Sequence, residues 1–373
     1  MSQDVVVTAA ELEHRTILRR DLKADRAAFL DTKIPGSEAK INYPLIGPGV
    51  SENPDQAVPV TEPHGFNLGG AVMPAGVVNN LHLHFTAEVF VCFAGEWQFR
   101  WGVNGDDGEA VVADGDVISI PTWIFRGFTS KTDDAWLYTA LGRDESGGLI
   151  WAPSVMARAA EVGTFLTADN TLLQGEPGAP PQGVALKAPL TSEQLATLRT
   201  VRTDEMRARL AQPGDLVWST RPFLDSTLPG GGAEFAAVVG FGLTEDRLQV
   251  PRLADPHGLC LGWLRAAPGS GVHFHRIAEP EVLIVKTGRL RVTLNRQAPV
   301  MVDLGPYDTL SVPPGSWRRF ESVGDEPALV VAITSGDGRV RIDWDAPVVE
   351  QALHDDVAID PNGYLAPASL LNR

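Results

Sequence analysis

Residues 76–100 read GVVNNLHLHFTAEVFVCFAGEWQFR, and residues 271–292 read GVHFHRIAEPEVLIVKTGRLRV. Each stretch holds a His-x-His pair, then a glutamate, then a glycine seven residues past that glutamate: His82, His84, Glu88 and Gly95 in one, His273, His275, Glu281 and Gly288 in the other. Residues two apart on a strand point to the same face, so each pair can bring two imidazoles to one point. The apolar runs that follow, rich in Val, Ile and Phe and bounded by Gly and Pro, read as short strands.

Working outward, the two stretches belong to a long internal duplication. FLDTKIPG at 29–36 recurs as FLDSTLPG at 223–230, and GPGVSEN at 47–53 recurs as GFGLTED at 240–246. His64-Gly65 returns as His257-Gly258, Pro121 as Pro313, Arg126 and Phe128 as Arg318 and Phe320, and Trp151 as Trp344. With His82 and His84 matched to His273 and His275, the offsets run from 191 to 194. The chain therefore contains one unit twice, at about 21–163 and 215–357, and short strands separated by Gly, Pro and Asp turns make each unit an antiparallel sandwich or barrel.

The 373 residues provide enough chain for two domains, and 31 basic against 47 acidic side chains give a net charge of −16. That charge repels a phosphate backbone and excludes nucleic acid as an expected partner. No apolar run is long enough to span a bilayer, and no leader is recognisable, so the expected location is cytoplasmic with no membrane partner. Cys92 and Cys260 are read as buried free thiols. Residues 175–183, GEPGAPPQG, form a surface connection. After it, Thr191 and Gln194 suggest a capping box, and Leu195, Leu198, Met206 and Leu210 an amphipathic helix packed beside the second unit.

Two neutral imidazoles and a carboxylate make a mixed nitrogen and oxygen set that suits Fe(II), Mn(II), Ni(II) or Zn(II) and leaves coordination positions open. In the second copy both Glu279 and Glu281 are available. Glu281 is favoured by its spacing to Gly288, which implies two extra residues between the histidines and the glutamate of that copy. Phe90 and Cys92 share the parity of Glu88, while Gln98 and Arg100 share one on the next strand, so either set could line a barrel. His64 and His257 read as turn histidines bonded to backbone, and Trp151 and Trp344 as core. No GxSxG elbow, phosphate loop or GxGxxG motif is present, which removes serine hydrolase, nucleotidase and dinucleotide readings.

The spacing Gly76, His82-x-His84, Glu88, Gly95, followed by Gly115 and Pro121, resembles the first and second cupin motifs. With His273-x-His275, Glu281, Gly288 and then Asp308, Pro313 and Gly315, the whole chain resembles a bicupin. The resemblance implies an all-β fold of two tandem double-stranded β-barrels of jelly-roll type with a few peripheral helices, each barrel with a metal site inside. It divides the chain into an N-terminal arm and lead-in (1–55), cupin domain 1 (56–165), a linker with one amphipathic helix (166–214), cupin domain 2 (215–357) and a C-terminal tail (358–373).

The pattern departs from the family where a third histidine ligand is expected: Arg126 and Arg318 stand there. Trp123 also replaces a motif glycine that Gly315 keeps. Arginine cannot ligate a metal. In one reading His82, His84 and Glu88 form a three-ligand face with room for substrate and dioxygen, and Arg126 binds a substrate carboxylate or enolate, in the catalytic role. In the other, Arg126 pairs with Glu88, takes the place of the cation and leaves a metal-free pocket. The expectation adopted is a metal-dependent bicupin, foremost an Fe(II) dioxygenase acting on a small aromatic or hydroxylated organic acid. Its metal ligands would be His82, His84 and Glu88, with His273, His275 and Glu281 as a second set, and Arg126, Gln98, Arg100, Phe90 and Arg318 would contact substrate. A non-catalytic binding bicupin and a cupin isomerase or lyase are the alternatives. The first copy is favoured as the active one, and self-association of the chain is left open.

Overall fold

The computed structural model describes residues 4–47 and 49–371, so Pro48 of the recurring 47–53 stretch and the outermost residues of the arm and tail lie outside the described residues. The chain divides into two compact units: Lys23–Gly214, and residues 4–22 together with 215–371. Each unit is a pair of facing antiparallel sheets. In the first, one sheet runs in the order Leu210–Ala211, Val117–Ile120, Glu88–Ala94, Ala135–Gly142, Phe66–Met73, Ile41–Ile46, and the other Leu149–Trp151, Val78–His84, Arg126–Ser130, Glu96–Trp101, Gly108–Ala113. The second unit repeats that order strand for strand, from Thr16–Ile17 to Glu234–Val239 in one sheet and from Asp343–Trp344 to Val300–Leu304 in the other.

Local sequence accounts for the pattern. In Glu96–Trp101, Trp97, Phe99 and Trp101 are fully buried and alternate with partly exposed Gln98 and Arg100, the period-two signature of a sheet with one wet face. The motif glycines that precede the aromatic strand and its counterpart, Gly95 and Gly288, have φ of +79° and +74°, and a Cβ would lie 2.4 Å from Thr132 Oγ1 or 2.5 Å from the Pro327 carbonyl oxygen. Only glycine meets both demands. Among the described residues no helix is long and apolar enough to cross a membrane.

The structure extends the duplication backwards and shows an exchange between its copies. Thr16–Ile17 pairs with Thr309 and Leu310, whereas Leu210–Ala211 pairs with Val117 and Ile118. Arg15 Nη1 donates to Ser311 Oγ at 3.1 Å, and Arg209 Nη2 to Ser119 Oγ at 2.9 Å, the same contact one repeat apart. Val7 and Leu12 enter the core of the second unit, and Val201 and Met206 enter that of the first. The lead-in of each repeat thus closes the barrel built by the other. This is why the expected helix after Thr191 does not belong to the second unit. Thr191 and Gln194 do cap each other, but the helix ends at Leu195, a second turn spans Thr203–Arg207, and Leu195, Leu198 and Met206 all pack on the first unit. Thr197, Thr200, Val201 and Thr203, β-branched and stiff, interrupt what would otherwise be one helix.

The cores differ. In the second unit one continuous apolar cluster includes Phe235, Ile277, Leu283, Val292 and Phe320, from both sheets. In the first, Phe90, Phe99 and Phe128 belong to one cluster and Leu81, Leu83 and Trp151 to another. A cavity of about 100 Å³ opens beside them.

Candidate metal centre

His82 and His84 lie on Val78–His84, Glu88 begins Glu88–Ala94, and Arg126 begins Arg126–Ser130 directly opposite His82. All four side chains are buried. The two imidazoles and the carboxylate each offer a ligand atom, and these atoms lie within 4.8 Å of one another. The rings stand edge to face at 5.0 Å between centroids. His82 Nδ1 is 2.8 Å from the Asn80 carbonyl oxygen and His84 Nδ1 is 3.2 Å from that of Gly148. A carbonyl only accepts, so His82 Nδ1 donates and its Nε2 carries the lone pair, the tautomer that binds a metal through Nε2; His84 faces acceptors at both nitrogens, the Gly148 carbonyl at Nδ1 and Glu88 at Nε2. Burial, reinforced by Arg126, holds both imidazoles below their ordinary pKa and therefore neutral.

Glu88 divides its two oxygens. Oε1 is 3.5 Å from His84 Nε2, while Oε2 accepts from Arg126 Nε at 2.8 Å and lies equally near Nη2. Burial alone would raise this carboxyl, but Arg126 and the histidines outweigh it and hold it well below the usual range. Arg126 Nη1 donates to the Ile124 carbonyl at 3.0 Å. The guanidinium is thus absorbed by Glu88 and backbone, and it is not among the residues lining the cavity. Arg126 holds Glu88 in place, and the geometry does not put it where the expected substrate contact would be. Phe90, Phe128, Leu141, Leu149 and Trp151 form the apolar wall beside the three donors.

Two other expected substrate residues face away. Gln98 donates to Glu109 at 2.7 Å and Arg100 to Thr129 at 3.4 Å, both on the outer side of a strand whose inner side is taken by its aromatics. Phe90 does line the cavity, and Cys92 is buried in the apolar cluster behind it. Trp123, in the place of the motif glycine, adopts the left-handed conformation at φ +63° and stacks edge-on against Phe85. His64 and His257 each place Nδ1 2.6 Å from a backbone carbonyl two residues back.

The second set of expected ligands does not assemble, and the reason is register. His82 pairs with Arg126 on one side and Trp151 on the other; the residue that pairs with Arg318 and Trp344 is His275. His273 takes the place of Asn80: its backbone N–H donates to Asp225 at 2.6 Å, as that of Asn80 donates to Asp31 at 3.0 Å. Its Nδ1 also contacts Asp225, at 2.9 Å. The counterpart of His84 is Ile277, whose carbonyl accepts from Gly315 N as that of His84 accepts from Trp123 N. On this register Glu281 matches Glu88 at an offset of 193, without the two-residue insertion read from the sequence, and the pairing of His82 and His84 with His273 and His275 is corrected. Only His275 and Glu281 of the three donors remain, and Glu281 Oε2 accepts from Arg318 Nη1 at 2.8 Å. Arg318 also donates to the carbonyls of Ser316 and Pro313, which makes it a buried structural residue and not a substrate contact.

Sequence reasoning missed a pair of carboxyls. Glu52 accepts from Trp151 Nε1 and Leu30 N, both at 2.7 Å, and Glu245 from Trp344 Nε1 at 2.9 Å and Leu224 N at 2.8 Å. Burial pushes Glu52 up to about 7 and Glu245 up to about 8. They sit inside the recurring GPGVSEN and GFGLTED stretches, and their presence in both barrels marks them as structural.

With this geometry established, comparison with known proteins is informative. The cupin domain model matches residues 262–334, the heart of the second barrel. The oxalate decarboxylase of Lactobacillus farciminis, in its formate complex, superposes with a TM-score of 0.55 at 10% identity over 97% of this chain and 96% of that one. The chain has the fold of two tandem cupin barrels. Oxalate decarboxylase from Bacillus subtilis, whose Mn(II) centres have been characterised, is similar at a TM-score of 0.53, with 10% identity over 92% of this chain and 80% of its own. No curated protein matches this chain in sequence.

Proposed function

We propose that the first barrel is the single metal site of a metal-dependent enzyme. In this reading His82 Nε2, His84 Nε2 and Glu88 Oε1 hold one divalent ion, Fe(II) foremost, and the reaction is dioxygenation of a small hydroxylated organic acid in the cytoplasm. The carrying observation is the convergence of two neutral imidazoles with a carboxylate oxygen on the wall of a cavity. Two histidines and one carboxylate with open positions is the donor set of non-haem Fe(II) oxygenases. Mn(II) is the competing ion, supported by the Mn(II) centres of the Bacillus neighbour.

Such an ion supplies Lewis acidity and coordination positions that the protein leaves unfilled. The chain's own residues do the rest. Arg126 pins Glu88 Oε2, so one oxygen alone faces the histidines. The Asn80 and Gly148 carbonyls fix the ring orientations. Phe90, Phe128 and Trp151 exclude water and keep the local dielectric low, where an anionic head group is drawn most strongly to a cation. At about 100 Å³ the cavity exceeds the ~10–15 Å³ that one water needs, yet it favours an acid of a few heavy atoms over a larger aromatic one.

A second reading, a metal-free binding protein, is favoured by the Glu88–Arg126 pair, which balances charge without an ion. Metal analysis of protein purified without chelator, then reloaded with Fe(II), Mn(II), Ni(II) or Zn(II), separates the two. About one ion per chain is expected, and no uptake of any of the four removes the enzyme reading. Oxygen consumption with small hydroxy acids then tests the reaction class, since an isomerase or lyase consumes none.

A further inference from the structure

The duplication provides a control inside one chain. Residues that build a barrel recur in both copies: Glu52 and Glu245, Trp151 and Trp344, Arg126 and Arg318, Glu88 and Glu281. Residues that line the cavity of the first barrel and are lost from the filled second one are marked for contact with a ligand. Besides His84 the polar ones include Asp25, Asn42, Asn67, Asn79 and Thr139, of which Asp25 and Asn79 are already engaged by Asn53 and Lys40.

Register identifies their counterparts. Asn42 pairs with Ala71, and Phe235 with Leu264; Thr139 pairs with Gly69 and Phe90, and Ala332 with Gly262 and Leu283. The Phe235 ring lies in the hollow over Gly262, where a Cβ would come within 2.2 Å of its Cζ. Over the matching Gly69 there is cavity. Asn67, replaced by Cys260, is already engaged: it donates to the Arg143 and Asp144 carbonyls and accepts from Gly49 N. Asn42 is not. Its Nδ2 is buried and has no partner among the described residues. An unmet buried donor is expensive, about 1–3 kcal/mol, unless a ligand meets it. The Thr139 side chain lines the same cavity.

Glu88 pairs with Leu141, so Thr139 lies two residues along the neighbouring strand, about 8 Å away, and Asn42 lies three strands across and four residues along from Glu88, about 19 Å between backbones. The cavity therefore has a metal-ligand end and a far end that offers hydrogen-bond donors. No lysine or arginine lines it, and its carboxylates are those of Asp25 and Glu88. A negative charge at the far end would meet no counter-charge.

On the metal-site reading above, we infer that Asn42 and Thr139 bind the end of the substrate remote from the metal ligands, and that this end carries an uncharged hydroxyl or carbonyl oxygen. The substrate class is a short acid with a chelating head and a neutral oxygen tail. Three four-carbon probes share one 2-hydroxy acid head and differ in tail: 2-hydroxybutyrate (methyl), 2,4-dihydroxybutyrate (hydroxyl) and malate (carboxylate). Calorimetry on Mn(II)-loaded wild type should show the hydroxyl-tailed probe bound about tenfold tighter than the methyl-tailed one, and malate no tighter than the latter. In Asn42→Ala and in Thr139→Ala, which copies Ala332, that preference should fall to about threefold or less, with 2-hydroxybutyrate affinity unchanged as the control for an intact fold. A preference that survives both variants, malate binding tightest, or no probe binding to loaded protein overturns the inference and leaves the metal site standing. A chain that takes up no ion overturns the metal-site reading, and this inference with it.

Discussion

The two barrels share strand order, register and a buried arginine–glutamate pair, yet one encloses a cavity and the other is filled. The difference is made by very few side chains: His84 against Ile277, Asn42 against Phe235, Thr139 against Ala332. It teaches that Arg126 and Arg318 are scaffold. Because the same ion pair persists in the barrel that shows no three-donor set among the described residues, neutralising a buried carboxylate is enough to account for an arginine at the third-histidine position. The two carboxyls also part ways: Glu88, with two imidazoles beside it, is held down, whereas burial wins at Glu281 and raises it.

The comparison can be broken in order of effect. His84→Ile makes the first site a copy of the second, and metal content by mass spectrometry should fall from about one ion per chain to near zero, with binding at least ~100-fold weaker. Retained metal would mean that the donor set is misassigned. Arg318→Met strips Glu281 of its counter-charge deep in the second core and should destabilise that unit by about 3–5 kcal/mol in denaturant unfolding, since a buried charge left alone is strongly unfavourable. A neutral outcome would return the arginine to a functional role. Phe235→Ala should cost about 3–4 kcal/mol, a core truncation, whereas Asn42→Ala at the matching position should cost under about 1 kcal/mol because it faces a cavity.

The smallest effect is in pH. Glu52 at about 7 and Glu245 at about 8 bind their protons more tightly folded than unfolded, so stability falls as pH rises through those values. His82, His84 and His275 act oppositely: their depressed values give stability that is present above about 6.5 and lost on acidification. Between pH 6.5 and 8.5 the carboxyls act alone, and the melting temperature should drop by a few degrees. A flat or rising profile there would show that neither carboxyl is held protonated.

Much of this was legible in the sequence, since a repeat of near-constant offset and a His-x-His strand with a following glutamate are local or periodic signals. The second site was misread for a physical reason: two His-x-His strings look alike, but strand register and not string similarity decides which face a side chain occupies. The warning was present, because matching them needs an offset of 191 where the flanking glutamates and glycines require 193. Gln98 and Arg100 were placed inward although Trp97, Phe99 and Trp101, at the alternate positions, have more apolar surface to bury. The orphan donor of Asn42 could be seen only once Phe235 was known to fill its counterpart's space.

The exchanged lead-in strands make the two barrels unequal during biosynthesis. The Arg209–Ser119 contact spans 90 residues, so the first barrel finds its edge soon after its sheets emerge from the ribosome. The Arg15–Ser311 contact spans 296, so the segment around Arg15 must wait for that much more chain to be made before its berth exists. Until then the strand Thr16–Ile17 is without its partner Thr309–Val312, the condition under which a growing chain is most exposed to pairing with a stranger.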